Sequence, residues 1–390
     1  MNGFVEEWRN CETCAGAVPV DALEALNGAR LLDQVITAPE NRLRPRFRPA
    51  TALAYGLSLL ILAANLVVAL AGLYLVIHGW PDVVPILCGI VLVLAGWLLR
   101  PRLGSVPEDC LKRSHFPNLF SMVDGIAGQL SVRPVEHVRV DHRYRASLTR
   151  AGPARTPVLT IGLPLWACLA GQERVALIAH ELAHRVNRDP ARGAVIGWSV
   201  AALDHWVDRL DPSERPARSL AETATGLARR VMSAAARQVR GLLARLLYLD
   251  SQRAEYLADH LTAKVAGPVA TTKLLGKLGL ARNLRAVAGQ VHSGGDTGQS
   301  VIDAFRAFVE AMPEGEMERL RQADEAEKAR TDSSHPPTAS RLTFIRSRHF
   351  ELPLVILSDA LSRAIDEELQ PLRERLSIKL VERFASTAAG

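Results

Sequence analysis

The stretch HELAHRVNRDP runs from His180 to Pro190 and sets two histidines four residues apart, with a glutamate directly after the first. Around it Val175, Ile178, Ala179, Leu182 and Val186 recur at helical intervals, so the spacing predicts a helix from about Gly171 to Arg188. Residues i and i+4 of a helix share one face, one turn apart. His180 and His184 can therefore aim ring nitrogens at one point, about 2.0–2.1 Å from a zinc ion. Glu181 is rotated about 100° from His180, so it is free to act on a water rather than on the metal. Pro190, with Asp189 before it as a cap, is expected to open another helix.

Two histidines do not complete a catalytic zinc site, which needs a third protein ligand and an open position. The sequence SQRAEYLADH begins at Ser251, and its Glu255 lies 71 residues beyond His184. Glu255 and Asp259 are again i and i+4 on one helical face. Glu255 could supply the third ligand. Asp259 could accept a hydrogen bond from the far nitrogen of a ligand histidine and so fix its tautomer. Alone, such a pair also reads as a solvated acidic face.

Upstream of the helix, HVRVDHRYRASLT (137–149) and TPVLTIG (156–162) are rich in β-branched residues and bounded by Gly and Pro, so they read as strands. Phe116 to Leu130 reads as a helix. Downstream, AVIGWSVAAL (194–203) is apolar but short and reads as a buried helix, an interfacial helix or part of a third membrane span, and residues 217–249 form a long helix with arginines on one side and leucines and alanines on the other. That helix either lies along a membrane surface or is a solvated helix packed on the core. The C-terminal third is helical and highly charged. Near the N-terminus, residues 20–36 have helical spacing, with Asp21 as the N-cap.

Taken together, these motifs resemble the membrane zinc endopeptidases of the HtpX and CAAX prenyl protease group. The resemblance runs from about Val138 to Arg346. VLTIGLPLWACLAGQERVALIAHELAHRVNRDP is similar to that group's strand, turn and active-site helix. SQRAEYLADHLTA is similar to its third-ligand helix, and SSHPPTASRLTFI to its late HPP element, with His335, Pro336, Pro337 and Arg341. The resemblance implies a mainly α protein with a small β-sheet, a zincin-like gluzincin domain. His180, His184 and Glu255 would hold one zinc per chain and Glu181 would be the base. His335 would lie near the site and steady the developing oxyanion, or else be a polar loop histidine. The group carries Asn-Ala on the strand bordering its cleft, whereas this chain has Arg145-Ala146, which puts its substrate contacts in doubt.

No Asp, Glu, Lys or Arg occurs between Pro49 and Pro81, and Val83 to Leu99 adds 17 more uncharged residues. Apolar core helices seldom reach such lengths, so an N-terminal transmembrane hairpin, about 51–77 and 83–99, is expected. Arg42, Arg44, Arg46 and Arg48 precede it and Arg100 and Arg102 follow, while the connecting HGWPD has no Lys or Arg. By the positive-inside rule the flanks and everything after them face the cytoplasm. Inner-leaflet anionic lipids are the partner expected for the basic flanks. The expected organisation is a cytoplasmic lead-in at 1–48, the hairpin at 49–100, a zinc peptidase domain at 101–350 and a helical extension at 351–390.

The formal net charge is +6, from 47 Lys+Arg and 41 Asp+Glu, which is too mild to indicate nucleic acid. The five cysteines are odd in number and scattered, which excludes a disulfide framework and indicates a reducing compartment. CETC (11–14) has no second CxxC to complete a zinc knuckle, so two free thiols are expected. The N-terminus lacks the apolar core of a cleavable signal. The expected function is peptide hydrolysis at the cytoplasmic membrane face, on peptides or on unfolded or membrane proteins. The rival is a non-catalytic membrane scaffold with a structural zinc site, in which Glu181 has no task.

Overall fold

The computed structural model describes residues 22–44, 48–101, 104–186, 193–210, 220–293, 300–313, 315–320, 322 and 335–388. In chain order, α1 (Ala22–Ile36), α2 (Glu40–Leu43), α3 (Pro49–His78), α4 (Val83–Leu98) and α5 (Pro117–Gln129) precede β1 (His137–Asp141), β2 (Ala146–Ala151) and β3 (Thr156–Gly162). Then come α6 (Leu163–Cys168), α7 (Gly171–Val186), α8 (Ala194–Leu210), α9 (Leu220–Ala266), α10 (Pro268–Leu278), α11 (Ala281–Ser293), α12 (Val301–Glu310), α13 (Thr338–Arg346) and α14 (Asp359–Ala388). The fold is mostly helical with one three-stranded sheet, in the order β1-β3-β2. The expected CETC thiols, the Asp21 cap and the Asp189–Pro190 helix start lie outside the described residues.

The chain divides into two compact units. One comprises residues 46–104 and 189–251. Its core joins Ala54 and Ile61 of α3, Ile196 and Leu203 of α8, and Ala236, Leu243 and Leu247 of α9. Polar pairs are buried within it: Ser199 donates to Ser58 Oγ at 2.9 Å, and Thr51 donates to the carboxylate of Asp250. The rest of α3 faces outward. It has 30 residues, none of them Asp, Glu, Lys or Arg, and most of its length is not buried. It is long and apolar enough to cross a bilayer. The second apolar run forms a helix of 16 residues, about 24 Å, which falls short of a full hydrocarbon core. α3 and α4 touch backbone to backbone at Gly72 and Gly89. A Cβ on Gly72 would stand 2.7 Å from the Gly89 carbonyl oxygen, so only glycine permits that approach.

The other unit, residues 1–45, 105–188 and 252–390, holds the sheet and the helix opened by the Gly171 turn. β3 is central, parallel to β1 and antiparallel to β2, with Val138 opposite Leu159 and Leu148 also opposite Leu159. The stretch 137–149, expected as one strand, breaks in two. Asp141 accepts the Arg143 N–H at 3.0 Å and the chain turns at 142–145, crossing so close to Gly162 that a side chain there would overlap the Arg143 carbonyl. β2 is thus delivered to the far side of β3 as an edge strand beside α7.

α7 buries Val175, Ile178, Ala179 and Leu182 completely, against α5 and α10. Its first turn is pinned by Glu173, which accepts the Ala170 N–H at 3.0 Å and an ammonium bond from Lys277 at 2.7 Å. The helical stretches expected at 217–249 and 251–263 are, among the described residues, parts of one helix, α9. Asp250 lies inside this helix, its side chain buried and bonded to Thr51. α9 ends where Gly267 adopts φ +91° and Pro268 opens α10.

Candidate metal centre

The periodicity that buries one face of α7 turns His180 and His184 toward α9. Their rings lie 5.0 Å apart and nearly perpendicular, at 89°. Across from them α9 presents Glu255. His180 Nε2 lies 3.4 Å from Glu255 Oε2, and His184 Nε2 lies 3.4 Å from Glu255 Oε1. One donor atom from each of the three residues falls within 4.8 Å of the others. His184 and Glu255 are buried, while His180 keeps partial access.

Does this set fit a metal? Ligand atoms about 2.05 Å from a tetrahedral zinc stand about 3.3 Å apart, and the two histidine–carboxylate separations are close to that spacing. Glu255 Oε2 is buried and accepts no hydrogen bond among the described residues. A buried carboxylate oxygen without a donor is costly unless a cation serves it. Two nitrogens and an oxygen at this separation suit a divalent transition ion such as zinc.

Behind His180 stands Asp259, fully buried, its Oδ1 3.3 Å from His180 Nδ1. That contact assigns the proton to Nδ1 and leaves Nε2 as the donor on the cluster side. Asp259 is itself held by Arg341 of α13 in a two-pronged ion pair of 2.7 and 2.6 Å. Arg341 Nη2 also lies 3.7 Å from Glu255 Oε2. Burial alone would raise the Asp259 pKa, but Arg341 and His180 hold it below the usual range. Burial opposes ionisation of Glu255 too, yet His335, His184 and His180 bring its pKa well below the ordinary value. Burial would weaken His180 as a base, whereas Asp259 and Glu255 push its pKa up to about 9. The Arg341 guanidinium is raised as well, its burial outweighed by Asp259 and Glu255.

Glu181 does not join the cluster. Its Oε2 accepts the backbone N–H of Leu148 on β2 at 2.8 Å, so the edge strand holds the carboxylate in place. His335 Nε2 lies 3.6 Å from Glu255 Oε1, with 35% of its side chain exposed. Five of the six residues singled out in the sequence, His180, His184, Glu255, Asp259 and His335, therefore meet in one place, and Glu181 is held apart from them on Leu148. Arg341 belongs to the HPP element, whose sequence gives it no role by itself. The signal that could have found it is physical: a fully buried Asp259 requires a counter-charge.

Residues 158–349 match the model of peptidase family M48. This stretch is a peptidase family M48 domain. No curated protein and no solved structure matches the chain. M48 enzymes are metallopeptidases, and the matched stretch contains α7, the Glu255–Asp259 turn of α9, His335 and Arg341. β2 and the apolar helices α3 and α4 lie before it.

Proposed function

We propose that this M48 metallopeptidase is a zinc-dependent endopeptidase bound in the membrane, cutting peptide bonds on the cytoplasmic side. The observation that carries the reading is the convergence of His180, His184 and Glu255, with the Glu181 carboxylate held by Leu148. His180, His184 and Glu255 would hold the zinc ion, which would supply Lewis acidity to a water and to the scissile carbonyl. Glu181 would serve as the base that takes a proton from the attacking water and passes it to the departing amine. Leu148 fixes one oxygen of Glu181 and leaves the other for proton transfer. Asp259 keeps His180 in the ligating tautomer, and Arg341 keeps Asp259 ionised. His335 is placed to donate to an oxygen that becomes negative during the reaction.

β2 is an edge strand, and an extended substrate pairing along Ala146 to Thr149 would be read mainly through its backbone. Arg145 stands at the start of this edge. Unfolded or membrane proteins, or a dedicated processing substrate, are the substrate class that such backbone reading favours. α3 as a crossing helix, α4 returning from the Gly79–Asp82 loop, and arginines on both flanks support a multi-pass topology with the peptidase inside. Those arginines also favour inner-leaflet anionic lipids.

The test uses the purified full chain in detergent. It should bind about one zinc per chain and cleave a denatured protein such as casein. Glu181→Gln should keep the metal and lose cleavage. Equal proteolysis by that variant would exclude Glu181 as the base and favour a structural metal site.

A further inference from the structure

β2 has one open edge, and its register is fixed. Gly162 N–H donates to the Arg145 carbonyl at 2.7 Å, so Arg145 and Gly162 form a bonded pair of the antiparallel ladder with β3. Such pairs recur at every second residue. Ser147 and Thr149, opposite Thr160 and Val158, therefore turn their main-chain groups toward β3, and Ala146, Leu148 and Arg150 turn theirs to the open side. The Leu148 N–H obeys this register, since it leaves the sheet to reach Glu181.

Along this edge β2 and α7 run on together. Leu148 to Arg150 is about 7 Å along the strand. Glu181 to Arg185 is about 6 Å along one face of the helix. The charge of Arg150 acts on Arg185, so the positions that follow the Leu148–Glu181 contact on both elements are arginines. Arg155 joins them from the turn into β3, where it adopts φ +52° and its N–H donates to the Gly152 carbonyl at 3.0 Å. Arg133 joins from the loop after α5, its carbonyl accepting the Arg185 guanidinium at 2.5 Å. Burial and Arg150 lower the Arg155 pKa, and burial, Arg150 and Arg133 lower that of Arg185. All four stay cationic, because a guanidinium keeps its proton in proteins. Among the described residues no carboxylate pairs with Arg150 or Arg185. Glu181, one turn before Arg185, is taken by Leu148 instead. All of these residues belong to the unit that holds the metal centre.

We infer that these arginines form a subsite for an acidic side chain of the substrate, two or three residues from the scissile bond. The subsite rests on the endopeptidase reading given above and narrows its substrate class. An extended peptide on the open edge has its reacting carbonyl beside Glu181, level with Leu148. Its residue level with Arg150 is then two positions away, since paired strands advance in step. Arg150 is exposed while Arg155 and Arg185 are half-buried, so a carboxylate can reach all three and lose part of its water. A guanidinium grips a carboxylate through two parallel N–H bonds. The anion also relieves the repulsion between Arg150 and Arg185, which a neutral side chain cannot do. The arginines thus sort among peptides whose backbones β2 alone reads alike.

The experiment uses the purified full chain in detergent with zinc, and unstructured peptides made with free and with amidated C-termini. A single Glu or a single Gln is walked through the positions within about three residues of the cleaved bond. At one position two or three residues from that bond, Glu should raise kcat/KM about 10-fold over Gln, as for one hydrogen bond to a charged group. Glu181→Gln, which holds peptide without cutting it, should bind that Glu peptide about 10-fold more tightly than its Gln counterpart in fluorescence anisotropy. In Arg150→Gln both ratios should fall toward one, and Arg150→Glu should prefer Lys at the same position. A parent enzyme that cuts Glu and Gln peptides alike at every position would overturn the subsite and leave the endopeptidase standing. A preference that survives in both Arg150 variants would overturn it too. Preferential binding by Glu181→Gln with no cleavage by the parent would keep the subsite and sink the endopeptidase reading. A preference seen only with free C-termini would assign the arginines to the peptide terminus and overturn the side-chain reading.

Discussion

Replacing Arg341 by Met tests how the metal centre is supported. The change removes both prongs of the 2.7 and 2.6 Å pair and leaves Asp259, with no solvent exposure, as an uncompensated buried charge. It also removes the cation 3.7 Å from Glu255 Oε2. Removing one partner of a buried pair costs about 3–5 kcal/mol. Coulomb attraction over about 3.5 Å at an effective dielectric of about 20 gives about 5 kcal/mol, the same order. The peptidase unit should therefore lose about 3–5 kcal/mol in thermal or denaturant unfolding of the solubilised protein. The double variant Asp259→Leu with Arg341→Met removes both charges and should recover most of that loss. It would not recover metal binding, because His180 Nδ1 would have lost its acceptor; affinity should stay about 10- to 100-fold weaker by competition with a chelating dye. A stable Arg341→Met variant would refute the counter-charge argument. A double variant that binds zinc as the parent does would refute the orienting role of Asp259.

Leu148→Pro deletes the N–H that holds Glu181 while leaving the backbone extended. A charge-assisted hydrogen bond is worth about 1.5–3 kcal/mol, so turnover should fall roughly 10- to 100-fold with metal content unchanged, checked by parallel activity and metal assays. Burial pushes the Cys168 thiol up to about 12, against an ordinary value of 9.0, with Lys277 only partly opposing. Cys168 should resist alkylation at pH 8 until the protein unfolds. Because the folded pKa is the higher one, its contribution to stability is complete below about pH 9 and lost as pH rises toward 12, which unfolding curves across that range would register. Gly72→Ala puts a methyl group against the Gly89 carbonyl and the Val93 nitrogen, both 2.7 Å away. It should force α3 and α4 apart at a cost of about 1–3 kcal/mol, read as a lower melting temperature in detergent.

The helical elements were largely legible because their apolar spacing reports which face is buried. α5 and α7 fall within a few residues of their expected bounds, and α3 follows from the absence of charge between Pro49 and Pro81. One detail was not legible: the 137–149 strand breaks because Asp141 caps a turn that β-branched composition does not reveal.

By itself, the sequence determined the chemistry available at the centre. Helical spacing puts His180 beside His184 and Glu255 beside Asp259, since a helix brings i and i+4 together whatever surrounds it. Tertiary structure decided what those pairs do. Only the packing of α7 against α9 brings nitrogens and carboxylate within 3.4 Å, and only the arrival of α13 supplies Arg341 to Asp259. β2 reaches Glu181 because Gly162 lets the 142–145 turn cross over β3. These contacts join residues far apart in the chain, and their energies depend on burial and distance, quantities that local spacing does not encode.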